Sequence, residues 1–527
     1  MNGETVTISK AEYEELKESN ARMADVIRNL EERIKLLQKS KFGSSSEKSK
    51  YDNGSEQLGM QLVFNEIELY SDLTAGEPVQ EPDLTKVKEY KRKKHATNLE
   101  KLPDNIEIIP SCRDIPEEEK FCAVCGAELE QMGEDIIRKL SIIPAKIVIK
   151  EIHIPRYICK KCTGDDEPAK VIQALANHDF LPGSMATPEL VAWIMEQKFV
   201  LYSTLYRMEQ EFFRWGIELK RQTMSQWVLN ASKTYLEPVY RLLCKELLRQ
   251  DICHGDETPL QVLHEPNRTP QQKSYMWLFR TGKYAEHPAV IYRYAETRSK
   301  EVPTEFLKDF KGYLHSDGYA GYHSLPEGIT VVGCWAHARR KFDEALKVVS
   351  ANNRASSKAD KGKRYCDAIF KIEDEIENLP MEERLRIREE KARPLLTEFR
   401  SWLEGLQVSE KSAFGRAVAY TLDQWQYLVN YLMDARLECS NNRAERSIKP
   451  FVMGRKNFLF ANTPAGAQSS AVIFSLVETA KECGLDPNKY LTGLMTEAPK
   501  TNMKDETCVA ELLPWKMPKK APDPVKE

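Results

Sequence analysis

Apolar residues recur with a seven-residue period over residues 10–38. Tyr13, Asn20, Ile27 and Ile34 take the a positions, and Leu16, Met23, Leu30 and Leu37 the d positions. This seam predicts a short coiled coil, and a lone Asn at a favours a parallel dimer. An amphipathic helix docked on its own domain would carry the same pattern. The periodicity stops at KSKFGSSSEKSKYDNGSEQL, which predicts a flexible linker. IIRKLSIIPAKIVIKEIHIPRYIC alternates as strands do. Residues 188–232 then predict helices from Pro188 to Lys198, from Thr204 to Phe213, and from a cap at Thr223, with Gly216 as punctuation.

From residue 250 the texture changes. ICHGDETPLQVL, SYMWLFRTG and AVIYRYAETR predict three strands, and SKEVPTEFLKDF a helix capped by Ser299. GYLHSDGYAGY predicts a strand entering a glycine turn, and ITVVGCWAHARRKFDEAL a strand followed by a helix. The order βββαβαβα is that of the ribonuclease H fold, in which the first and fourth strands lie side by side. Residues 343–437 predict an all-helical insertion. Leu395, Leu396, Phe399, Trp402, Leu403 and Leu406 form one apolar side, and Phe414, Val418, Leu422, Trp425, Leu428 and Leu432 another. Stacking on an unpaired base is open to these tryptophans, but their helical spacing points to core.

At 527 residues the chain exceeds one ordinary core. The expected fold class is multidomain α+β. It comprises a coiled-coil dimerisation arm (1–40), a flexible basic linker (41–105), a zinc-ribbon DNA-binding domain (106–175) and a helical, helix-turn-helix-like DNA-binding module (176–248). A ribonuclease H-like α/β catalytic core (249–342) follows, then the all-α insertion (343–437), the last core helix (438–482) and a C-terminal helical tail (483–527). The net charge of −3 does not announce a polyanion partner, but charge is segregated. Lys86 to His95 holds six Lys/Arg against one Glu, and Arg443 to Lys456 holds five against one. The N-terminus lacks the features of a signal peptide, and no run of about 18 apolar residues suggests a membrane span. A cytoplasmic location is expected.

Twelve cysteines do not read as a disulfide scaffold in so long a chain. Cys122, Cys125, Cys159 and Cys162 form two CxxC pairs separated by 33 residues (159 − 125 − 1). Bridged by strands, they predict a ribbon around one structural Zn²⁺. The candidate chemistry lies in three acids. Asp256 sits in HGDETP, Asp317 in HSDGYAGY and Glu445 in NNRAERSIKP. The first two fall in strand-like stretches and the third at a helix start. Three carboxylates so delivered can hold two divalent metal ions and drive attack at a phosphodiester. Each has a plainer explanation. Asp256 could be a strand-end residue, Asp317 a Ser-Asp-Gly turn, and Glu445 the partner of Asn442 in a capping box. Asp256 shares its strand face with His254 and Thr258, while Glu257 points the other way. Cys334 and Trp335 read as core. His337, Arg339, Arg340 and Lys341, with Arg443, Arg446, Lys449, Arg455 and Lys456, are candidate DNA contacts.

HGDETPLQVL, HSDGYAGY, GCWAHARRKF and NNRAERSIKPFVMGRKNF resemble the catalytic blocks of bacterial transposases of the insertion sequence 66 family. The heptad arm followed by KFGSSSEK, the four cysteines, and SLVETAKECGLDPNKYL…ELLPW resemble that family's flanking modules. The resemblance implies a DDE triad of Asp256, Asp317 and Glu445. It also implies Mg²⁺, double-stranded element ends and target DNA as partners, a homodimer or higher synaptic assembly, and small accessory proteins of the same element. Ser440 departs from the family, which usually has Asp there; a serine can still cap a helix. Rival readings are a nuclease or resolvase that cuts without joining, and a non-catalytic DNA-binding regulator.

Overall fold

The computed structural model describes residues 180–517, together with 147–153, 156–158, 171–173, Glu14, Lys17, Met23 and Ile27. Two units separate, residues 63–174 and the rest of the chain. In the smaller unit, strands β1 (Arg156–Ile158) and β2 (Val171–Gln173) pair antiparallel. Cys122, Cys125, Cys159 and Cys162 lie outside the described residues. Most of the heptad does too; Glu14, Lys17, Met23 and Ile27 are helical, and Met23 and Ile27 are exposed.

The larger unit is built on five strands: β3 (Ile252–Gln261), β4 (Lys273–Thr281), β5 (Val290–Ala295), β6 (Gly312–His315) and β7 (Ile329–Val332). Their spatial order is β5-β4-β3-β6-β7. The β3–β4 and β4–β5 pairs are antiparallel, whereas β3–β6 and β6–β7 are parallel. The first and fourth strands of the sheet are thus neighbours, as expected. One expected element differs: between β6 and β7 lies a single 3₁₀ turn, Ala320–Ser324, not a helix.

Helices α1 (Pro188–Phe199), α2 (Leu205–Arg214), α3 (Arg221–Ala231) and α4 (Glu237–Leu248) precede the sheet, α3 running into α4 through a π turn. Thr187 and Thr204 cap α1 and α2 with their side chains. Thr223 is not the cap expected of it, since α3 begins at Arg221. The capping carboxylate comes from α2, where Glu209 accepts from the Arg221 amide at 3.1 Å. Ser299 likewise falls outside α5 (Glu301–Phe306), whose cap position is Lys300. The helical module has no core of its own. Val191, Met224 and Leu243 join one apolar cluster with Leu278 and Ile291 of the sheet and with Phe474 and Leu491 near the C-terminus.

The insertion is all helical and forms a second core. After α6 (Trp335–Val348), the helix that follows β7, it contains α7 (Lys358–Ile376), α8 (Met381–Ile387), α9 (Arg393–Glu404), α10 (Ala413–Asp423) and α11 (Trp425–Leu428). Trp425 is buried with Trp335 and Phe399, and Trp402 is partly buried against the same cluster, so both tryptophans pack on the core. Both sheet edges are covered, which removes an exposed pairing template. On β5, the amides of Val290 and Tyr292 donate to Thr479 and Ser475 at 3.0 and 2.7 Å. Both hydroxyls belong to α13 (Pro464–Glu482), which follows α12 (Asn442–Phe458). At β7, Asn430 of the insertion donates to the Val331 carbonyl at 2.8 Å. The chain continues through α14 (Pro487–Glu497) and α15 (Glu506–Ala510).

Candidate active site

Register builds the site. On the parallel pair β3–β6, His254 stands opposite His315. Asp256 and Asp317 each follow two residues later, so the chain delivers both carboxylates beyond the same end of the β3–β6 ladder. The two histidines are fully buried and stack, with ring centroids 4.2 Å apart and planes at 9°. Asp256 lies within β3, but Asp317 is not in a strand: β6 ends at His315. The Asp317 Oδ1 accepts from the Tyr319 amide at 3.0 Å, which makes the turn in which it sits.

Helix α12 brings the third acid. Its cap position is Asn441, not Ser440 or Asn442, and Asn441 makes no side-chain bond to the helix. Asn441 Nδ2 instead donates to the Gly255 carbonyl at 2.8 Å, and its Oδ1 lies 3.0 Å from His254 Nδ1. The capping box is therefore not formed, and Glu445 faces elsewhere. Its Oε2 is 3.4 Å from Arg340 Nη2, and its Oε1 is 3.7 Å from His337 Nδ1. Asn441, only 1% exposed, ties the start of the Glu445 helix to the backbone beside Asp256.

The electrostatics of the site are lopsided. The Asp256 carboxyl is pushed well above its ordinary 3.8, first by burial, then by the charges of Glu257 and Asp317, with Glu445 adding to them and the Glu257 amide opposing. Burial and the Asp317 charge also raise Glu257, against the pull of Arg298 and Tyr322. Glu257 lies on the face away from α12, where Tyr322 donates to it at 2.8 Å and Arg298 at 2.7 Å. Gly255 makes room for that tyrosine; a Cβ there would come within 3.3 Å of the Tyr322 ring. Behind the site, burial would raise Glu438, but His254 and Arg443 together hold it well below the carboxylate range. Glu257, Asp317 and Glu445 gathered around the Asp256 carboxyl suit a divalent cation, whose charge would offset their repulsion there. Glu445 Oε1 is buried without a hydrogen-bond partner.

The candidate basic residues divide. Arg340, Arg446 and Lys449 line a cleft of about 270 Å³ beside Glu445, and Lys283 and Lys347 line it too. Arg446, Lys449 and Lys456 are exposed, and Lys341 lies over the Tyr420 ring. Arg339 reaches this cleft too, but its guanidinium pairs with Asp367. Arg443 pairs with Glu438, and Arg455 donates to Thr258 at 3.0 Å, so both brace the fold. Burial and the neighbouring Arg340 lower the proton affinity of His337, but Cys334 and Glu445 outweigh them and raise it to about 9. Sequence reasoning did not single out Asn441 or the stacked histidines. The signal available was the repeated His-x-Asp tripeptide.

Comparison with known proteins places the chain in a family. Residues 183–469 match the family described as "Transposase IS66 family", and residues 475–515 its "IS66 C-terminal element". Residues 119–163 match a "zinc-finger binding domain of transposase IS66", which supports a bound zinc, and residues 29–109 match "Transposase C of IS166 homeodomain". Among relatives, the uncharacterized protein y4jD of Sinorhizobium fredii is 31% identical over 82% of this chain and 85% of its own length. The uncharacterized protein y4qI of the same organism is 28% identical over 98% of this chain and 93% of its own. Among the described residues no helix is long and apolar enough to cross a membrane. The chain belongs to the IS66 family of transposases.

Proposed function

We propose that this protein is a DDE transposase with a ribonuclease H-like core, which cleaves insertion-sequence ends and transfers their 3′-OH groups to target DNA. The observation that carries this reading is the shared register of the two His-x-Asp strands, with Glu445 close enough to raise the Asp256 carboxyl. Asp256, Asp317 and Glu445 would hold two Mg²⁺ ions, or Mn²⁺. Such ions supply Lewis acidity that activates a water or 3′-OH and stabilises the leaving oxygen. The chain's own residues do the rest. Asn441 fixes the third carboxylate against the first strand. Arg340, Arg446 and Lys449 offer positive charge to the DNA backbone along the cleft. Cys122, Cys125, Cys159 and Cys162 would hold one structural Zn²⁺ in a DNA-binding ribbon. The N-terminal arm would pair two protomers so that two ends are cut together, with small accessory proteins of the element assisting at the bacterial nucleoid.

The test uses purified protein, its own element ends and Mg²⁺. Asp256→Asn, Asp317→Asn and Glu445→Gln should each abolish cleavage while DNA binding persists, because amides cannot supply the negative charge the ions need. Joining of the cut ends to a target plasmid separates a transposase from a nuclease or resolvase. Retention of near wild-type cutting by any one variant would remove that residue from the site.

A further inference from the structure

Cys334, His337 and Glu445 bring one ligand atom each to within 4.8 Å of one another. The trio comes from two elements. Cys334 caps α6, His337 lies one turn on, and Glu445 is in the first turn of α12. The sulfur is buried, with Cys334 2% exposed, and it accepts from the Asn441 amide at 3.2 Å. An N–H donated to sulfur at the positive end of a 14-residue helix favours an electron-rich sulfur. His337 Nδ1 and Glu445 Oε1 are both buried without hydrogen-bond partners. Their separation is 3.7 Å. A tetrahedral zinc ion holds nitrogen and oxygen donors about 3.4 Å apart, so this pair needs a shift of only a few tenths of an ångström, while the sulfur, within 4.8 Å of both, closes the site by approaching by up to about 1 Å.

We propose that Cys334, His337 and Glu445 form a site for one thiophilic divalent cation of the Zn²⁺ class, whose binding withdraws Glu445 from the carboxylate centre and stops cleavage. Thiolate, imidazole and carboxylate donors select such an ion over Mg²⁺, which prefers oxygen ligands alone. Three protein ligands leave a fourth position for water on the side of the cleft that Glu445 lines. The other imidazole nitrogen, Nε2, lies 3.4 Å from Arg340 Nη1. Arg340 is 42% exposed, so it can move aside when Nε2 carries the proton. The inhibitory consequence rests on the reading of Glu445 as a catalytic ligand; the binding does not.

The experiment starts from full-length protein with its ribbon loaded with Zn²⁺, without DNA or Mg²⁺, and titrates Co²⁺. The expected result is one further ion per chain, with the visible absorption of tetrahedral Co²⁺ and a thiolate charge-transfer band. Cobalt-edge X-ray absorption should report a single sulfur ligand, against four if cobalt had merely replaced zinc in the ribbon. Cys334→Ser, which keeps an acceptor for the Asn441 amide, should lose the charge-transfer band, and His337→Ala should weaken Co²⁺ binding at least about tenfold. Zn²⁺ should inhibit Mg²⁺-dependent cleavage by wild-type protein, and Cys334→Ser should need at least about tenfold more zinc for the same inhibition. Absence of a second ion, or coordination without sulfur, overturns the site whether or not the triad cuts DNA. A second ion that leaves cleavage untouched overturns the inhibitory step alone.

Discussion

Asn441→Ala isolates the link between the helix that carries Glu445 and the strand that carries Asp256. The substitution removes two hydrogen bonds at a position 1% exposed, to Gly255 O at 2.8 Å and to His254 Nδ1 at 3.0 Å. Both partners are left buried. Each orphaned group costs about 1–3 kcal/mol, so the expected loss of stability is roughly 2–6 kcal/mol. If residues 180–517 unfold together, an entropy of about 2.1 cal/mol/K per residue converts this to a Tm drop of roughly 3–8 °C. The protein remains folded at 25 °C, but the carboxylates lose their mutual placement. A displacement near 1 Å costs about a hundredfold in rate, and that is the expected fall in cleavage at saturating Mg²⁺. Ser475→Ala is the control. It also orphans a buried group, the Tyr292 amide, but at the far edge of the sheet. Calorimetry and single-turnover cleavage of both variants at 25 °C decide the matter. If Asn441→Ala cuts as fast as Ser475→Ala, the asparagine serves stability only.

The remaining expectations concern charge, zinc and assembly. The Asp256 carboxyl binds its proton more tightly folded than unfolded. Its contribution to stability is therefore fully present below the ordinary carboxylate range and is lost as pH rises through the raised folded value. In a chelator, Asp256→Asn should raise the Tm at neutral pH and leave it unchanged at pH below 3.8, whereas Mg²⁺ should raise the Tm of wild type alone; an equal Mg²⁺ effect on both proteins contradicts the metal assignment. After dialysis against a weak chelator, metal analysis should find near-equimolar zinc in wild type and none in the Cys125→Ser, Cys159→Ser pair. Deleting residues 1–40 should weaken self-association in sedimentation and abolish paired cutting; a truncated protein that is still fully dimeric would give the arm another role. Asn20→Ile should tighten association while broadening stoichiometry, because a buried Asn at a costs stability and penalises wrong pairings.

What the sequence could reveal about this site follows from how local each feature is. The three acids were legible because each lies in a short polar block between apolar runs, and the element order implied that the first and fourth strands would be neighbours. The two-residue offset of both aspartates from a paired histidine was harder to see. Register depends on long-range pairing, and only the repeated His-x-Asp hinted at it. Local rules failed where a partner from elsewhere supplied the bond. Thr223 looked like a cap, but Glu209 on another helix does that work. Asn442 and Glu445 spelled a capping box, but Asn441 takes the cap position and spends its side chain on the sheet. Arg388, within REEK, is only 1% exposed, with Glu373 beside it and the carbonyls of Tyr431, Asp434 and Leu437 accepting its N–H groups. Those carbonyls belong to the segment that leads into α12, so a buried arginine in the insertion holds the approach to Glu445. The insertion is thus part of the scaffold that positions Glu445, and not only a helical unit around its own core.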